Sequence, residues 1–142
     1  MSQNHLTVAF PLKSPADAKA LPETLASMML GKVDKDLDSV GTPHFAQFVP
    51  LEDQQLGFFT VYDGAFDKYI MDFTKNIGDV FDVIFKFTKD APPSPCRRHV
   101  QEFIDFAASA SRTPIGFYQA YPGLSNQDIH ALIADSRAGQ TR

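Results

Sequence analysis

His44 is the side chain in this chain best suited to chemistry. It opens a strand-like run, HFAQFVPL. Imidazole alone among side chains exchanges a proton near neutral pH without help from its surroundings. Beside a pocket it would serve as a general base toward an organic molecule, or as a ligand to a haem iron; the competing role is a strand-end histidine bonded to backbone or water. Gln47, in the middle of the same run, offers an amide either to a ligand or across a subunit contact. Tyr62 and Tyr118 stand in two further strand-like runs and would present hydroxyls to a polar ligand, or else fill a core or an interface. The candidate set is therefore His44 as catalytic base, with Gln47, Tyr62 and Tyr118 as ligand contacts.

Other reactive groups carry weaker patterns. Asp63, Asp67 and Asp72 cluster in sequence, but Asp63 is placed to cap a following helix and Asp67 to sit in its first turn. His5, His99 and His130 are remote from His44, so no pair has metal-ligand spacing and no metal is expected. Cys96 is the single cysteine, which rules out an intrachain disulfide. Its neighbours Arg97 and Arg98 would lower the thiol pKa, yet no partner base stands nearby in sequence. No phosphate loop, GxGxxG, nucleophile elbow or HExxH occurs. The net charge of −4 argues against a nucleic-acid partner. MSQNHLTVAF lacks the basic start and apolar core of a secretion signal, and no run reaches the roughly 18 apolar residues of a spanning helix. The expected setting is cytoplasmic, without membrane contact.

The elements that must position these groups follow from hydrophobic spacing. Leu6–Leu12 reads as a strand. Ser14-Pro15-Ala16-Asp17 reads as a helix start, with Pro22 interrupting or restarting the helix and Gly31 a plausible end. HFAQFVPL and LGFFTVYDG form a hairpin around EDQQ. Phe66, Tyr69, Ile70, Phe73, Ile77, Val80, Phe81 and Ile84 step by three and four, the strongest helical signal in the chain. DAPPSP breaks it. A helix with Val100, Phe103, Ile104 and Ala107 inward follows, then a last strand over Ile115–Tyr121. Ser125 with Asp128 resembles a capping box ahead of a final helix. The tail from residue 136 to 142 reads as frayed. At 142 residues this is one domain.

Stripped of its extra helices the order is βαββαβ, the split βαβ pattern of ferredoxin-like α+β folds, with a four-stranded antiparallel sheet and helices on one face. The hairpin strands lack a polar side, whereas a half-exposed antiparallel sheet alternates. With 13 Phe in the chain, the second face is expected to be covered by another copy, sheet to sheet, as a homodimer.

The segments PHFAQF, YDGAFDKYIMDF and GFYQAYPG resemble bacterial members of the dimeric α+β barrel superfamily. Those members carry a His-Phe-Ala-Arg strand and an aromatic-Asp-Gly turn into a helix; here Gln47 stands where that Arg is expected. The resemblance implies a cleft between sheet and helices as the ligand site. It also implies a range of activities: monooxygenases of aromatic molecules, haem-handling enzymes, lyases, isomerases and plain binding proteins. The leading expectation is a small-molecule-binding protein that catalyses cofactor-independent proton transfer or oxygenation. The alternatives are a haem-binding, peroxidase-like protein and a non-catalytic ligand-binding or assembly module.

Overall fold

The computed structural model describes residues 2–140. Three strands, β1 (Gln3–Pro11), β2 (Pro43–Leu51) and β3 (Gln55–Asp63), form one antiparallel sheet in the order β1-β3-β2. Asp63, at the end of β3, is the one charged residue in the three strands. Alternation sends Leu6, Val8 and Phe10 of β1, Phe48 of β2, and Leu56, Phe58 and Tyr62 of β3 into the main core. The opposite face carries His5, Thr7, Phe45, Gln47, Phe59 and Val61, and no Lys, Arg or Glu. That face mixes apolar side chains with uncharged polar ones, so the sheet lacks the strongly polar side of a half-exposed antiparallel sheet, as its sequence pattern predicts.

The helices pack on the first of those faces. α1 (Pro15–Met28) starts at Ser14, whose hydroxyl accepts the Asp17 N–H at 3.1 Å. It continues through Pro22 instead of stopping there. A π turn (Met29–Val33) then leads into α2 (Asp34–Val40). The stop expected at Gly31 falls at Gly41, where φ is +78° and a side chain would be strained. α3 (Phe66–Lys86) buries the predicted stripe and kinks at Ile77. Its Gly78 lies under Cys96, whose Sγ a Cβ there would meet at 3.2 Å. α4 (Val100–Ala110) turns Phe103, Ile104 and Ala107 inward.

The sheet–helix interval is filled by rings. Phe81 contacts Phe58, Phe73, Phe85 and Phe103 at centroid distances of 5.2–5.8 Å. Edge-to-face and tilted pairs of this kind add specificity to simple burial.

The last expected strand is absent as a strand. Ser111 bridges Val8, and the Arg112 N–H reaches the Thr7 carbonyl at 2.7 Å, so the chain does start along the free edge of β1. It returns to that edge only where Gln3 Nε2 donates to the Tyr121 and Leu124 carbonyls, at 2.7 and 2.8 Å. The β1 stretch between these anchors, Thr7 to Gln3, spans roughly 14 Å, whereas the chain from Arg112 to Tyr121 could span roughly 30 Å if extended. The surplus must bow outward. Ile115–Tyr121 becomes an arch without a ladder, and the sheet has three strands.

Beyond the arch, α5 (Asn126–Gln140) begins with the expected reciprocal cap: the Ser125 N–H donates to Asp128 Oδ2, and the Asp128 N–H to Ser125 Oγ. Residues 130–139 are all exposed. The stretch read as a frayed tail is helical as far as Gln140; residues 141 and 142 lie outside the described residues. No helix among the described residues is long and apolar enough to cross a membrane.

Candidate functional site

His44 owes its position to an irregularity in β2. Pro43 pairs with Tyr62 and Phe45 with Val61, so His44 is an extra residue between two successive rungs. A bulge of this kind redirects a side chain that strict alternation would send to the other face. His44 Nε2 lies 2.8 Å from Asp63 Oδ1. The Asp63 side chain is 1% exposed, and its second oxygen accepts the Asn126 N–H at 2.7 Å. Asp63 is thus not the cap of α3 that its sequence position suggests. The residue at the start of α3 is Ala65, with no side-chain cap. Asp63 instead joins β2, β3 and the first turn of α5, and two further bonds to the Gly41 carbonyl, from Asn126 and Gln127, hold that turn.

A buried carboxylate that accepts at one imidazole nitrogen fixes the ring's orientation and tautomer. The carboxylate has no proton to give, so Nε2 carries one and Nδ1 is left as the acceptor. This is the geometry of an oriented general base.

His44 lines a cavity of about 390 Å³ bounded by the open sheet face below and the arch above. β1 contributes Gln3, His5 and Thr7, β3 contributes Phe59 and Val61, and the arch contributes Phe117, Tyr118 and Tyr121. His5 stacks edge-on against Phe117 with centroids 5.2 Å apart. No lysine or arginine lines the cavity. The cavity thus lies on the sheet face turned away from the helices. The cleft between sheet and helices, where the ligand site was expected, is occupied by the packed rings.

The four expected site residues separate accordingly. His44 and Tyr118 meet at this cavity, with Tyr118 on the arch and 89% exposed. Gln47 is exposed on the same sheet face, opposite Phe59, outside the cavity wall. Tyr62 points the other way and stacks on Tyr69 with centroids 4.0 Å apart, buried among core residues. Burial raises the pKa of both tyrosines, and Tyr69 shares a hydrogen bond with Thr60. Asp63, Asn126 and His5 are not legible as site residues in the sequence, because each needs a partner more than 15 positions away. A hairpin whose first strand opens with His and whose second closes with Asp is the one signal that could suggest the pair.

Cys96 is also placed differently from its sequence context. It is fully buried, and burial, with Asp82 second, pushes its thiol up to about 12. Arg97, whose Nε donates to the Thr74 carbonyl, opposes this but ranks behind both burial and Asp82. Among the described residues no group of three His, Cys, Asp or Glu is arranged to hold a metal ion.

Fold and site together define a class: an α+β protein whose antiparallel sheet is backed by helices on one face and roofs a cavity with an arch on the other. The chain matches no protein-family model, no curated protein and no solved structure.

Proposed function

We propose that this protein binds a small, uncharged, largely apolar organic molecule in the cavity under the arch and moves a proton on it with His44 as base. The observation that carries the reading is the His44–Asp63 pair on the wall of an aromatic cavity. The walls supply apolar area and ring faces, and the absence of lysine and arginine argues against phosphorylated or carboxylate ligands. Asp63 orients the ring, and Tyr118 stands on the arch at the cavity's edge, where a bound ligand would bring its hydroxyl into use. An organic ligand is preferred to haem because His44 Nε2 is already engaged by Asp63. An iron would have to take Nδ1, the nitrogen closer to the backbone.

The same reading includes a homodimer through the open sheet face, in the manner of ferredoxin-like dimers. Phe45, Ile115, Tyr118, Tyr121, Leu132 and Ile133 are exposed on β2, the arch and α5. The cavity and the groove along α5 share Tyr121 and Ile129, so this apolar surface is continuous. A second copy laid across it would cover these side chains and close the cavity to water.

The chain has no Trp, so the fluorescence of an added naphthol stands clear of the protein's own. Titration with 2-naphthol is expected to saturate at one site per protomer, and His44→Ala to weaken it about three- to tenfold, the worth of one hydrogen bond. Affinity unchanged in His44→Ala would remove the base from the site. A Soret band on haem titration, lost in the same variant, would replace the organic ligand with haem.

A further inference from the structure

We infer that His5 is a second polar anchor in this cavity, a hydrogen-bond donor facing the acceptor His44, and that the ligand is an uncharged conjugated hydroxy-ketone. The inference rests on the cavity being the ligand site, as proposed above. His5 lines the cavity from β1. Its Nδ1 is one of two buried side-chain atoms without a hydrogen-bond partner among the described residues, although the residue as a whole is only half-buried.

An imidazole with one sealed, unpaired nitrogen has a preferred tautomer. A buried N–H without an acceptor is rarer and costlier than a bare acceptor without a donor. The proton therefore sits on Nε2, the ring nitrogen left to the part of the residue that is not buried, and His5 donates. In His44 the bond to the Asp63 carboxylate fixes the proton on Nε2 as well, but there Nε2 is the occupied nitrogen and Nδ1 is left to accept. Two histidines of one cavity thus present opposite hydrogen-bonding character.

Their spacing is set by the sheet. His5 and Phe45 both pair with Val61, from opposite sides of β3. The His5 backbone is thus two strand spacings, about 10 Å, from the bulge that carries His44. A planar molecule between them would give a hydroxyl proton to His44 and take the His5 N–H on a carbonyl oxygen. A charged ligand has no cation to meet. A plain hydrocarbon leaves His5 Nε2 and His44 Nδ1 without a partner, and a diol hydroxyl, which donates as well as accepts, matches the His5 donor less selectively than a carbonyl oxygen, which only accepts.

The test compares 6-acetyl-2-naphthol with 6-ethyl-2-naphthol, which are of similar size and differ in the carbonyl. Fluorescence titration of the full chain is expected to show the ketone binding at least tenfold tighter. His5→Phe should collapse that ratio to less than about twofold. His5→Gln, whose amide N–H extends to the position of Nε2, should restore most of it, and His5→Asn should not. A ratio near one in the wild-type protein, or an undiminished ratio in His5→Phe, would overturn the inference. Should His5→Phe fail to fold by circular dichroism, the Gln-against-Asn comparison decides: equal ratios overturn it. His44→Phe separates the two claims. If it leaves 6-ethyl-2-naphthol affinity untouched, the base reading falls, while the His5 ratio is still read independently.

Discussion

At Cys96, tertiary contacts reverse what the neighbouring sequence suggests. Two arginines follow it, yet the thiol is sealed against Gly78 with its Sγ 3.3 Å from that carbonyl, and its pKa rises to about 12. The folded protein therefore holds the thiol neutral over a range where the unfolded chain, with an ordinary value of 9.0, ionises it. The stability this confers is fully present below about pH 9 and is lost between there and about 12, at up to about 1.4 kcal/mol per pH unit. Denaturant titrations from pH 8 to 11 should show this loss, and Cys96→Ala should show a shallower one; equal slopes would contradict the burial argument. His44 illustrates the complementary case. Its residue type and strand-end position were enough to nominate it, but its partner Asp63 is set by which residues close the β2–β3 ladder. Asp63 followed by Gly64 before a strong helical stripe is an ordinary capping signal, and local rules alone assign it there.

Among the elements, α3 and α5 stand at opposite extremes. α3 buries ten residues along its length, whereas α5 is tied mainly through its first turn, by Asp63, the Gly41 carbonyl and the Ser125–Asp128 cap. Local stability follows contacts of this kind. In hydrogen exchange at low protein concentration, α5 amides should exchange at least about 100-fold faster than α3 amides. Comparable protection of the two helices would mean that something covers α5. The cap also carries a sign in pH: the Ser125 N–H holds the Asp128 carboxyl below the usual carboxylate range. Its contribution is present above that range and is lost as pH falls through the lowered value. The arch is the element the sequence misjudged. IGFYQAY has strand composition, but a strand needs an edge of matching length, and the two anchors on β1 leave less than half of it.

The whole molecule exposes on one side what it hides on the other. Phe45, on the open sheet face, is 52% exposed, and no lysine or arginine interrupts the strands around it. Edges and faces left this way invite a second copy. Sedimentation at micromolar concentration is expected to give a dimer, and Phe45→Glu to shift it to monomer with the far-UV spectrum unchanged. A wild-type monomer at that concentration would leave the open face, and the roofed cavity beside it, without the cover proposed here. Gln47, central on the same face, would then meet water and not a partner.

Periodicity along the chain determined a good deal by itself: the three strands, the buried stripe of α3, the starts of α1 and α5, and a sheet with no lysine or arginine on either face. These follow from short-range spacing, because a side chain's direction repeats every two residues in a strand and every 3.6 in a helix. Only the folded chain decided that Asp63 meets His44, that packed rings close the helix side of the sheet, and that a bowed segment makes a cavity on the other. Each of these depends on a length or register summed over distant parts of the chain: one extra residue in β2, and a surplus between Arg112 and Tyr121 over the edge available on β1. No local pattern records such sums.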